Sequence, residues 1–116
     1  MEKTIWKSEN GVKMTQYRLA PNGQWLADVF MREDGYIFIK SDRGDWSYRF
    51  CFGSESFAKF ILMLEVDYFA GKVWQCWNYL AATRQVEKRA RYFAKFILPA
   101  LQEAIREDEC NEISAL

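Results

Sequence analysis

Histidine is absent from the 116 residues. That removes the commonest general base, the Ser-His and Cys-His nucleophile pairs, and every zinc site that needs an imidazole. Cysteine is scarce. Cys51, Cys76 and Cys110 are an odd set without CxxC spacing, so they form no disulfide framework and read as reduced thiols of a cytosolic protein. No metal or cofactor is expected, because three scattered thiols would bind an ion only with help from a carboxylate. Met1-Glu2-Lys3 opens no apolar leader, and the longest apolar run, Phe60 to Leu64, is far too short to cross a bilayer. Net charge is lacking too, since sixteen basic and sixteen acidic residues cancel. Such a balance argues against a general nucleic-acid binder and permits self-association.

Aromatic residues are what the chain has in excess: 20 of 116 are Phe, Tyr or Trp. A domain this small has difficulty burying so many large rings, which points to an interface. Turn signals recur along the first half, at Asn10-Gly11, Pro21-Asn22-Gly23, Glu33-Asp34-Gly35 and Asp42-Arg43-Gly44. They separate five expected strands, 3–8, 12–20, 24–32, 35–41 and 45–52, and short strands joined by tight turns pair antiparallel. In the last strand Trp46, Tyr48, Phe50 and Phe52 share one face and Ser47, Arg49 and Cys51 the other. Strand 35–41 is apolar on both faces, through Tyr36 and Phe38 on one and Ile37 and Ile39 on the other. It is therefore central, or covered on its second side by a partner.

After Gly53 the period changes. Ser54 or Ser56 is expected to cap a helix opening into Phe57, and Asp67 to cap a second one. Thr83 is expected to cap a third, over about 84–109, kinked by Pro99 near Lys95 to Leu98. Strands first and helices after make one α+β domain, residues 1–116, with a β-meander in 1–53 and a helical part in 54–112.

On the third helix Arg84, Lys88, Arg91 and Lys95 follow at i, i+4, i+7 and i+11 and form one basic stripe, with Tyr92 and Phe96 beside it. Val86, Ala90, Phe93 and Ile97 form the opposite, docking face. The stripe reads either as a surface for phosphate or an acidic partner, or as the solvated side of an amphipathic helix. Beyond Pro99 the sign reverses: Glu103, Glu107, Asp108, Glu109 and Glu112 face Arg106 alone. Acids near a helix C-terminus oppose its dipole, so this segment is either a frayed solvated tail or an acidic surface for a basic groove or a second copy. In 68–79 most apolar residues belong to the core. Trp74 and Tyr79 fall off the Val73-Trp77-Leu80 line and are expected to face outward with the stripe. Trp25, Tyr36, Phe38, Trp46 and Tyr48 are candidates for a stacking platform on the sheet, or for the face beneath the helices.

No enzyme signature is present. Gly53-Ser54-Glu55-Ser56 lacks the second glycine of a nucleophile elbow, and there is no Walker loop or dinucleotide fingerprint. A non-enzymatic protein is expected.

Three segments, Gly44-Asp45-Trp46-Ser47-Tyr48-Arg49-Phe50, Phe57-Ala58-Lys59-Phe60-Ile61 and Asp67-Tyr68-Phe69-Ala70-Gly71-Lys72, resemble small accessory proteins encoded by phages and prophages. The resemblance carries no catalytic residues. It implies a protein working in the cytoplasm of a bacterial host cell, which binds and blocks a host or immune protein, of CRISPR type for example, or a protein–nucleic-acid complex. The alternative is a nucleic-acid-binding module using the basic stripe. A homodimer is expected as well, and no membrane partner.

Overall fold

Two glycines with left-handed backbone set the last two hairpins. Gly35 (φ 106°) and Gly44 (φ 133°) occupy conformations that side chains resist. The hairpins they close belong to a five-stranded antiparallel sheet whose strands lie in chain order. In the computed structural model, which describes residues 2–7, 10–77 and 84–114, the strands are β1 (Glu2–Lys7), β2 (Lys13–Leu19), β3 (Ala27–Arg32), β4 (Tyr36–Ser41) and β5 (Trp46–Arg49). Three helices follow, α1 (Phe57–Leu62), α2 (Val66–Trp77) and α3 (Arg84–Ser114). The α+β meander expected from the turns is the observed fold. One strand starts three residues late. Pro21–Gly23 forms a 3₁₀ turn with Asn22 at φ 57°, and the Leu26 amide donates to the Leu19 carbonyl at 2.8 Å. Gln24 to Leu26 are thereby spent in the loop.

Alternation along each strand sorts the side chains to two faces. Tyr17, Leu19, Ala27, Val29, Met31, Ile37, Ile39 and Trp46 are buried on one. α3 covers them with Ala90, Phe93, Ala94, Ile97, Leu98, Leu101, Ala104 and Ile105, all buried and spaced as one helical stripe. α2 adds Phe69, Ala70 and Val73, and α1 adds Phe57 and Ile61. The rings converge on Trp46, whose centroid lies 5.0 Å from Phe69, 6.1 Å from Phe50 and 6.5 Å from Phe93. The helices lie on this face alone. That explains β4: Ile37 and Ile39 enter the core, while Tyr36 and Phe38 point to the opposite side.

Local contacts fix the helices. Ser56 Oγ accepts from the Lys59 amide at 3.2 Å and caps α1. The carbonyls at and just beyond the end of α1 are gathered by Gln102 on α3, whose Nε2 donates to Ile61 at 3.0 Å and Leu64 at 2.9 Å. α2 begins at Val66, one residue before the expected cap, so Asp67 lies in its first turn, where a carboxylate suits the helix dipole. Trp77 Nε1 donates to the Asp45 carbonyl at 3.0 Å, tying the end of α2 to the β4–β5 turn. α3 runs uninterrupted through Pro99 to Ser114, five residues past the expected end. Pro99 is exposed while Leu98 and Leu101 beside it are fully buried, so packing holds the helix where the proline removes a donor. Thr83, Tyr79 and Leu80 lie outside the described residues.

Candidate binding surfaces

The face of the sheet away from the helices is built from register. Trp6 pairs with Met14, Met14 with Arg32, and Tyr36 with Arg49. Because opposite residues in an antiparallel pair share a face, these make one row. A second row runs Thr4, Gln16, Phe30, Phe38 and Ser47. A third runs Glu2, Arg18, Asp28 and Lys40. Trp6 is 51% exposed and Phe38 41%. Tyr36 lies between two guanidinium groups, with Arg32 Cζ at 5.2 Å and Arg49 Cζ at 5.3 Å from its ring, and it stacks on Phe38 with centroids 6.3 Å apart. Arg32 also donates to Asp34 at 2.8 Å, and Arg18 sits between Glu2 at 3.6 Å and Asp28 at 3.9 Å. Rings and cations therefore hold one another in place, which lowers the entropy cost of presenting them.

The five aromatics considered for one platform are divided. Tyr36 and Phe38 stand on the open face. Trp46 and Tyr48 stand beneath the helices, stacked at 5.6 Å. Trp25 belongs to no strand and lines a groove beside α3 with Arg18, Ala100 and Glu103.

The basic stripe is found on the outer side of α3. Lys88, Arg91 and Lys95 are exposed, and Arg84 opens the helix with its side chain outside what is described. Arg91 pairs with Glu87 at 3.3 Å. Tyr92 is 57% exposed and stacks on Phe96, 41% exposed, with ring planes 12° apart. From the β4–β5 turn, Arg43 lays its guanidinium 4.1 Å over Phe96. Trp74 is half-buried and lines a shallow pocket with Asp67, Gly71, Glu87 and Arg91. Tyr79 is outside the described residues.

The acids beyond Pro99 are divided among different surroundings. Asp108 is turned inward, its side chain 14% exposed, where it pairs with Lys3 and accepts from the Tyr17 hydroxyl at 2.9 Å. It clamps α3 to the first two strands, and it lines one groove together with Glu109 and Glu112. Burial pushes the Tyr17 phenol well above its ordinary value, and the hydrogen bond to Asp108 with the carboxylates of Asp108, Glu112 and Glu109 adds to it. Glu112 lies 3.9 Å from Lys3, and Glu103 lies 4.0 Å from Arg106. Glu103 and Glu107 face the groove beside Trp25, and Glu109 lines a wider one with Lys13, Arg32 and Lys59.

Cys51, Cys76 and Cys110 are free and exposed. Among the described residues, no three His, Cys, Asp or Glu side chains are grouped to hold a metal ion, and no helix is long and apolar enough to cross a membrane.

A model described as a phage family matches residues 7–85. The chain belongs to this phage family. Its match takes in β2 to β5, α1 and α2, and so most of the open sheet face. It stops where α3 begins, which leaves Lys88 to Lys95 and the acidic end beyond it. No curated protein and no solved structure matches the chain.

Sequence reasoning missed Trp6, Phe30 and Arg32 on the open face and Arg43 against α3, while alternation along the last strand already places Arg49 on the face away from Trp46. Counting the period of two outward from each hairpin turn would have placed the three strand residues. Arg43 has no such signal, because its partner Phe96 is far away in the chain.

Proposed function

We propose that this member of the phage family is a non-enzymatic accessory protein that binds a bacterial protein, or a protein–nucleic-acid complex, through its open sheet face and blocks it by occupancy. Immune proteins of CRISPR type are candidate targets, and the bacterial cytoplasm is where the binding would take place. The carrying observation is the face itself: Trp6, Tyr36 and Phe38 with Arg32 and Arg49, uncovered by any helix among the described residues. Trp, Tyr and Arg are the residue types that dominate binding energy at protein interfaces. Around Tyr36 they are pre-ordered by contact with Phe38, Arg32 and Arg49, which suits capture of a partner better than solubility does.

A photoreactive phenylalanine analogue in place of Phe38 tests the reading in host cells. The expected result is one dominant cross-linked host protein, lost when Trp6 is changed to Glu and absent when the analogue replaces Glu103 instead. Cross-linking that is no stronger at residue 38 than at 103 would reject the reading.

The homodimer belongs to the same proposal, with two copies meeting through the open face and competing with the target for it. Light scattering is expected to give a mass near 13.8 kDa in dilute solution, rising towards twice that with concentration. The rise is expected to be indifferent to salt, because apolar burial is little screened, and to vanish in Phe38→Glu. A constant mass would reject the dimer. A dimer that salt dissociates would instead pair the basic and acidic halves of two α3 helices.

A further inference from the structure

We infer that the outer ridge of α3, between Lys88 and Lys95, forms with Arg43 a second binding site, for single-stranded nucleic acid. The amphipathic-helix explanation covers the lysines but not the rings among them. Tyr92 and Phe96 are two of the exposed large hydrophobics, one turn apart with nearly parallel ring planes and centroids separated by 6.4 Å. Arg43 reaches Phe96 from a different element. Its turn is anchored: the Arg43 amide donates to Ser41 Oγ at 3.2 Å, and Ser41 Oγ donates to the Leu26 carbonyl at 2.6 Å. Cations thus surround the pair of flat rings, with Lys88, Arg91 and Lys95 along one side and the Arg43 guanidinium lying over the face of Phe96, which leaves Tyr92 as the more open ring.

That arrangement matches a strand whose bases stack on Tyr92 and on the Arg43 guanidinium layered over Phe96, while its phosphates meet the cations. A duplex keeps its bases stacked on one another, and α2 packed along the flank of α3 prevents the helix from entering a major groove as a free cylinder. The charge reversal past Pro99 limits the site, since Glu103 and the acids after it repel phosphate and confine the strand to the N-terminal half. The ridge from Lys88 to Lys95 rises about 10 Å, room for a few nucleotides. The neutral net charge is no objection, because the two signs are segregated along one helix.

Fluorescence anisotropy with a labelled single-stranded oligothymidine, a duplex of equal length and a polyglutamate peptide tests the inference on the whole chain. The oligothymidine is expected to bind, with affinity falling about 50-fold between 50 and 200 mM salt if four phosphates are neutralised. The duplex is expected to bind at least about 10-fold more weakly. Tyr92→Ala, at a solvent-exposed position, is expected to weaken the single strand by about 5-fold to 150-fold through loss of stacking, and Lys88→Glu with Lys95→Glu to remove binding. Phe38→Glu is expected to leave it unchanged, which separates this site from the open sheet face. Absence of binding in 50 mM salt would overturn the inference. So would equal or tighter binding of duplex or polyglutamate, or indifference to Tyr92→Ala in a variant whose circular dichroism is native.

Discussion

Trp46→Ala is expected to destabilise the fold by about 3–5 kcal/mol, as for large aromatic truncations in cores. Trp46 is 4% exposed and touches rings from β5, α2 and α3, as well as Phe50 just past β5. Its loss opens a cavity where β5, α2 and α3 meet, and the neighbouring rings cannot collapse into it without leaving their own partners. A domain stable by 5–15 kcal/mol in the usual range would lose a large part of that. Among the described residues its indole Nε1 finds no acceptor, so Trp46→Phe is expected to be much milder, about 1–2 kcal/mol. Urea denaturation reads both as a fall in midpoint at unchanged slope. Equal losses for the two variants would show that the ring stack is not what holds the layers.

Gly35→Ala is expected to cost about 3 kcal/mol or more. Its backbone is left-handed, and an added Cβ would lie 2.3 Å from the Phe50 carbonyl oxygen and 3.1 Å from the Phe52 ring. Strain at such a backbone costs about 1–3 kcal/mol, and the overlap is with backbone that cannot turn aside. The Gly35 carbonyl also accepts from the Phe50 amide at 2.9 Å, so relief of the clash breaks the closure beside Tyr36 and Arg49. Gly53→Ala is the control, with nothing within 4 Å of the added carbon and an expected change within about 0.5 kcal/mol. Thermal unfolding separates the pair. Similar melting temperatures would contradict the close approach at Gly35.

These two positions also show what the sequence could reveal. The glycine-bearing turns were legible because positive φ has few residue types to serve it, and once turns fix the strands, a meander follows. α3 was legible through its apolar stripe. The sheet's two faces were not, because β4 is apolar on both and alternation within one strand cannot say which is inside. The register decides it: Ile37 lies opposite Tyr48 and Tyr36 opposite Arg49, so Tyr48 goes under the helices and Tyr36 does not. The basic stripe followed from helical spacing, while its Arg43 neighbour depended on tertiary contact. Asp108 looked like any acid of its run, and only the position of Tyr17, 91 residues earlier, sets it apart. Pro99 does not end α3, because burial of Ile97, Leu98 and Leu101 outweighs one lost hydrogen bond.

The measurement that tests the open face most directly is phage plating on immune bacterial hosts that carry the gene. Three forms of the chain are compared: wild type, Trp6→Glu with Phe38→Glu, and Lys88→Glu with Lys95→Glu. All four positions are exposed, so the variants are expected to fold. The account predicts that the wild type raises plating in at least one immune host, that the sheet-face pair abolishes the effect, and that the helix pair keeps it. A sheet-face variant that protects phage as well as the wild type does would contradict the account.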